Sequence, residues 1–79
     1  MVLKPFDEEL DLTGVPCPQN AARTLLRLAM MDSGGVLRVT IDDGEPIELV
    51  PDSVEDEEHA ILERHQLEDS RWMIWIEAD

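Results

Sequence analysis

Leu10-Asp11-Leu12-Thr13-Gly14-Val15-Pro16-Cys17-Pro18 holds the only cysteine of a 79-residue chain. Leu10 to Thr13 alternates apolar and polar residues, the period of a short half-buried strand. Gly14 and Pro16 bound a turn. Pro18 suits the first position of a helix, where its missing N–H has no partner to lose. The stretch therefore reads as strand, turn and helix start, with Cys17 at the junction. A helix start presents unpaired backbone N–H groups and the positive end of the helix dipole. A thiolate is stabilised there, which makes Cys17 a candidate nucleophile. The alternative left open by the residues alone is a small buried apolar side chain.

Working outward, the spacing predicts a helix from Pro18 to about Met31. Ala22, Leu25, Leu26 and Ala29 recur at helical spacing and form its expected apolar face, with Arg23 and Arg27 beside it. Asp32-Ser33-Gly34-Gly35 stops it. Val36 to Ile41 is rich in β-branched residues and reads as a strand with Arg38 and Thr40 on one face. A strand, a helix and a strand on short loops make a βαβ unit with parallel pairing. After the Asp42-Asp43-Gly44-Glu45-Pro46 turn, Ile47 to Val50 either begin a second helix or form an irregular lead-in, and Pro51 fits the first position of a helix running to Arg64 or His65. Gln66 to Glu68 is expected as a short strand. Arg71 to Glu77 reads clearly as a strand, with Trp72, Ile74 and Ile76 toward the helices. Met73 and Trp75 then fall on the other sheet face, as a contact surface unless the N-terminal lead-in partly covers Trp75. Residues 1–9 read as a flexible lead-in whose Phe6 packs back on the domain.

Length and charge bound the rest. Residues 1–79 suffice for one domain with a thin core. One cysteine excludes an internal disulfide framework and a Cys-rich metal site, and a free thiol fits a reducing, cytoplasmic setting. No apolar run is long enough to span a bilayer, and the N-terminus lacks a signal-peptide layout, so no membrane association is expected. Nineteen Asp and Glu against six Lys and Arg give a net charge of -13, which disfavours direct nucleic-acid binding. Between Val39 and Glu63 there are ten acidic residues and no basic one, the pattern of a solvated face.

The order β-α-β-α-β-β with Gly14-x-x-Cys17-Pro18 at the first helix resembles the TusA-like (SirA/YedF-like) sulfur carrier family. Leu12, Gly14, Cys17 and Pro18 carry the likeness, with Asp42-Asp43 closing the second strand, Val50-Pro51 at the second helix, and His59 eight residues later. The resemblance spans about Leu10 to Ile76. It implies an α/β fold of the α+β two-layer sandwich type: a mixed four-stranded sheet with two helices on one face. It also implies that Cys17 carries a persulfide, taken from a cysteine desulfurase or rhodanese-like donor and handed to an acceptor protein. Such a chain is a sulfurtransferase-type carrier rather than a stand-alone turnover enzyme, with no cofactor of its own. Downstream uses in such families include tRNA thiolation and other sulfur trafficking. The chain departs from the family pattern at Asn20, where Cys-Pro-x-Pro has its second proline. Gly44 replaces a proline after the Asp pair, Ser53 and Asp56 stand at usually apolar positions, and Glu58 stands where a Gly precedes the His.

The candidate site is thus Cys17 as the sulfur-bearing residue, with Gly14, Pro18 and Asn20 shaping its surroundings. Arg23 and Arg27 are candidate partner contacts, against a favoured reading as solvated helix-face charges. No metal site is expected. His59 and His65, six residues apart in one helix, would not share a face. A Cys17–His59 pair is sterically open at this level. Asp42 and Asp43 read as caps of their local backbone rather than paired acid/base carboxylates. Sulfur-donor and sulfur-acceptor proteins are the expected partners, and the chain is expected as a monomer or weak dimer. The competing reading is a non-catalytic acidic interaction or regulatory module on the same fold, with Cys17 incidental.

Overall fold

A computed structural model of the chain describes residues 4–79. Its elements run β1 (Glu8–Asp11), α1 (Gln19–Ala29), β2 (Val36–Ile41), α2 (Glu45–Asp56), β3 (Ala60–Gln66) and β4 (Trp72–Glu77). The four strands form one sheet in the order β1-β2-β4-β3. β1 and β2 are parallel, as the βαβ spacing predicts, while β4 runs antiparallel to both β2 and β3. The result is the mixed sheet and two helices expected from the resemblance. β1 starts at Glu8, inside the stretch read as a lead-in, and the ladder continues past it as Leu12 N–H donates to the Thr40 carbonyl at 2.8 Å. Of that lead-in, Met1 to Leu3 lie outside the described residues.

β2 alternates as its sequence does. Leu37, Val39 and Ile41 are wholly buried on the core face, and Arg38 and Thr40 point the other way. Leu12, Leu28, Val50, Val54, Ile74 and Ile76 complete a core between sheet and helices.

Helix α1 corrects the expected apolar face. Asn20, Ala21, Thr24 and Leu28 are buried, whereas Ala22, Leu26 and Ala29 are exposed and only Leu25 is half-buried. At 100° per residue the buried arc is rotated by about 135° from the expected one. Two polar side chains occupy it because their hydrogen bonds close locally. The Thr24 hydroxyl donates to the Asn20 carbonyl at 2.9 Å, and Asn20 Oδ1 accepts from Ala21 N–H at 2.7 Å. Buried polar groups are tolerated when so satisfied.

The second helix is also displaced from expectation. It begins at Glu45, six residues before Pro51, with Pro46 in the first turn. Pro51 lies buried inside the helix, where its missing N–H leaves the Ile47 carbonyl without its usual donor. The helix ends at Asp56 in a Schellman turn. Glu58 N–H donates to the Glu55 carbonyl, His59 N–H to that of Val54, and Glu58 takes φ of 70°. Residues Ala60 to His65, read as helix, instead form most of β3, with a register shift between Ile61 and Glu63.

On the open face of the sheet, Trp75 is fully buried, and the segment before β1 covers it. Its indole N–H donates to the Lys4 carbonyl at 2.8 Å. The Arg38 guanidinium sits 4.0 Å from the Phe6 ring centroid and 5.9 Å from that of Trp75, and pairs with Glu9. Of the two readings of Trp75, the covered one holds.

Candidate functional site around Cys17

The β1–α1 connection is held from three directions. Thr13 N–H and hydroxyl both donate to Asp11 Oδ1, at 3.0 and 2.6 Å, which tightens the chain as it leaves β1. Gly14 takes φ of 79°, a conformation open to glycine, and its N–H donates to Asp42 Oδ2 at 2.7 Å. Arg71 Nη1 donates to Thr13 Oγ1 at 3.1 Å from the far turn of the β3–β4 hairpin, where Asp69 in turn holds Arg71 Nε at 2.9 Å. These bonds keep the Asp11 carboxyl below its usual range, chiefly through the Thr13 hydroxyl, then the Thr13 N–H, with Arg71 adding to it. Asp69 is also held below its usual range, first by the Arg71 N–H.

Cys17 is half-buried and precedes a cis peptide bond to Pro18. Pro18 sits one position earlier than expected, at the N-cap rather than inside the helix. The helix-start donors are largely taken by the chain itself. Asn20 N–H goes to the Pro16 carbonyl, Ala21 N–H to Asn20 Oδ1, and Ala22 N–H to the Pro18 carbonyl. What reaches the sulfur is a side chain: Asn20 Nδ2 donates to Cys17 Sγ at 3.1 Å. Among the described residues this is the hydrogen bond made to the thiol, and no carboxylate or imidazole stands beside it as a base. The arrangement presents a nucleophilic sulfur and a single polarising donor. It suits exchange with another sulfur and lacks the base of a hydrolytic Cys-His pair.

The remaining candidates are placed as follows. Asp42 and Asp43 do not cap their local backbone: Asp42 holds Gly14, and Asp43 accepts from the Trp72 indole N–H at 2.8 Å. Both fasten elements to the thiol-bearing end of the sheet. His59 lies before β3 at the opposite end, where its Nδ1 accepts from Asp79 N–H at 3.0 Å. The Ile41–Trp72 and Val36–Glu77 pairs mark the two ends of the sheet, so the length of β4, about 17 Å, separates His59 from the Cys17 end. A Cys17–His59 pair is thereby excluded. His65 is in β3 opposite Met73, so the two histidines do not share a helix. No three His, Cys, Asp or Glu side chains converge as a metal site among the described residues. Arg23 and Arg27 lie farther along α1, Arg23 about 9 Å beyond Cys17 at helical rise, and Arg27 pairs with Glu8 at 3.2 Å. Arg71 is the site residue that sequence reading missed. It lies 58 residues from Thr13, and no local pattern signals that pairing.

The family described as Sulfurtransferase TusA matches residues 8–78, from the start of β1 past the end of β4. The chain belongs to the TusA family. A relative from Archaeoglobus fulgidus, named "Putative sulfur carrier protein", is 40% identical over 70 residues, covering 89% of this chain and 80% of its own. A second of the same name, from Thermotoga maritima, is 34% identical over 69 residues, 87% of each chain. The fold is that of the SirA-like protein of Desulfitobacterium hafniense, whose crystal structure superposes with a TM-score of 0.81 at 22% identity, over 91% of this chain and 97% of that one. The matched range contains Gly14, Cys17, Pro18 and Asn20, the last of which donates to the sulfur.

Proposed function

We propose that this chain is a sulfur carrier whose Cys17 relays a persulfide between two other proteins in a reducing compartment. In the first step the Cys17 thiolate attacks the terminal sulfur of a donor enzyme's persulfide. The new bond joins Cys17 Sγ to that sulfur, the donor's S–S bond breaks, and the donor cysteine leaves as a thiolate. In the second step an acceptor thiolate attacks the sulfur now held on Cys17, which departs as the thiolate it began as. Each transfer is an exchange without net oxidation, so the chain itself needs no cofactor. The observation that carries this reading is the Asn20 amide aimed at a half-buried sulfur with no adjacent base. The same N–H serves a departing thiolate. TusA membership and the two relatives' printed names support the reading, and tRNA thiolation is one end point for the sulfur.

Intact mass after incubation with a cysteine desulfurase, its pyridoxal phosphate and cysteine tests it. A gain of one sulfur atom, about 32 Da, is expected on the wild type and absent from Cys17→Ser. No gain on the wild type, or one that survives the substitution, overturns it. The exposed carboxylates Glu45, Glu48, Asp52, Glu55 and Asp56 along α2 favour a second reading, an acidic interaction module with an incidental thiol. That reading predicts partner binding unchanged by Cys17→Ala and no sulfur adduct.

A further inference from the structure

The exposed side of α1 faces a groove of about 430 Å³ lined by Arg23, Leu26, Arg27 and Met30 from the helix and Glu8 and Leu10 from β1. Leu26 is 64% exposed and Met30 75% exposed, two of the few large apolar side chains left in solvent. Among the described residues β1 is an edge strand, hydrogen-bonded to β2 alone, so one wall of the groove is open backbone. The chain has six basic residues, and two of them flank this apolar strip. Arg27 is partly neutralised by Glu8, and Arg23 makes no ion pair among the described residues.

We infer that this groove docks a segment of a relay partner that carries carboxylates beside bulky apolar side chains. Charge complementarity selects the occupant: apolar side chains meet Leu26, Met30 and Leu10, and carboxylates meet Arg23 and Arg27. A second copy of this chain is the poorer occupant: the two bodies would meet with a net charge of -13 each, and each groove would offer the other the same pair of arginines with Glu8 as their one lining carboxylate. The rest of the acidic surface does not forbid an acidic segment, because at physiological salt charges beyond about 8 Å are largely screened. The groove begins within about two helical turns of the residue after Cys17, close enough for a partner seated there to reach the sulfur. The inference rests on the carrier reading only in calling the occupant a relay partner.

The test uses isotope-labelled full-length Cys17→Ala, which cannot carry sulfur, so docking is read apart from transfer. The probes are a synthetic helix-forming peptide of repeated Glu-Leu-Leu-Glu units and its counterpart with every Glu replaced by Lys. The acidic peptide is expected to shift the amide resonances of Glu8, Leu10, Arg23, Leu26, Arg27 and Met30. Its affinity should fall about tenfold or more in the Leu26→Ser, Met30→Ser double variant, whose replaced side chains are exposed and leave the fold intact. Arg23→Glu should weaken it about three- to fivefold, and Glu8→Gln should strengthen it by freeing Arg27. No shift at about millimolar peptide, equal binding of the Lys peptide, or shifts centred on α2 or β3 would overturn the inference. If the groove fails while the wild type still gains one sulfur, the carrier reading stands and the docking surface falls. Docking on Cys17→Ala without a sulfur adduct on the wild type gives the reverse.

Discussion

Asn20 Nδ2 donates to Cys17 Sγ across one turn at the start of α1, at 3.1 Å and from a wholly buried side chain. In the Cys-Pro-x-Pro pattern that the sequence resembles, this position is a proline, which has no donor to give. The helix start here reaches the sulfur through an amide side chain, while the backbone N–H groups of residues 20–22 are spent within the chain. A hydrogen bond to a charged acceptor contributes on the order of 1.5–3 kcal/mol, and a neutral one about 1.

Asn20→Ala should therefore slow alkylation of Cys17 by iodoacetamide at neutral pH about five- to tenfold. Asn20→Asp should slow it further, because a carboxylate beside the sulfur opposes the thiolate. Both substitutions touch a buried residue, and a loss of about 1–3 kcal/mol in stability is expected alongside. Rates are compared on samples whose circular dichroism shows them folded. An alkylation rate unchanged in folded Asn20→Ala would remove the amide from the chemistry.

The thiol's place at a strand-turn-helix junction was legible because glycine, proline and cysteine act locally. Gly14 takes a conformation that suits glycine, and Pro18 tolerates a helix start. β2 was legible because Leu37, Val39 and Ile41 alternate with polar neighbours, so period and burial agree. The face of α1 was not. Asn20 and Thr24 look like surface residues until their hydrogen bonds to Cys17, Ala21 and the Asn20 carbonyl are seen. The second helix misled for a related reason. Pro51 is an ordinary start signal, and nothing local says that Pro46 outranks it or that Glu58 will adopt φ of 70°. The tethers from Asp42, Asp43 and Arg71 span 28, 29 and 58 residues, beyond any local pattern.

Glu58 yields the second prediction. It occupies the left-handed position of the Schellman turn that ends α2, where a side chain is unfavourable and glycine is not. Glu58→Gly should stabilise the fold by about 0.5–1 kcal/mol and raise the melting temperature by several degrees in a domain of this size. Glu58→Ala should not, since it keeps the Cβ. Scanning calorimetry of the three proteins checks this, and equal gains from Ala and Gly would point to relief of acidic repulsion instead.

Phe6 and Trp75 yield the third. Arg38 lies against both rings, and the Trp75 indole N–H is held by the Lys4 carbonyl. Phe6→Ala should cost about 0.5–1 kcal/mol of cation–π contact and let water reach Trp75. In a Trp72→Phe background Trp75 is the single fluorophore, and its emission should move to longer wavelength with more efficient acrylamide quenching. An unshifted spectrum would mean that other residues keep Trp75 dry.

Acid sensitivity tests the clasp around Thr13. Asp11 and Asp69 are both held below the ordinary carboxylate range in the folded chain, Asp11 chiefly by Thr13 and Asp69 by Arg71. A carboxyl with a depressed folded value contributes stability that is fully present above its unfolded value of about 3.9. That contribution is lost as pH falls through the folded value. The urea midpoint should therefore drop steadily below about pH 4. Asp11→Asn should remove part of that slope and lower the stability modestly at neutral pH, by well under about 1 kcal/mol, since the carboxyl is mostly solvated and screened. Thr13→Val removes the hydroxyl that is the largest cause of the Asp11 displacement and the acceptor of Arg71, so it should flatten the acid limb as Asp11→Asn does. If Asp11→Asn flattens the limb and Thr13→Val leaves it unchanged, the Thr13 hydroxyl is not what holds the carboxyl down, and the clasp that joins the β3–β4 turn to the Cys17 loop does not form in solution.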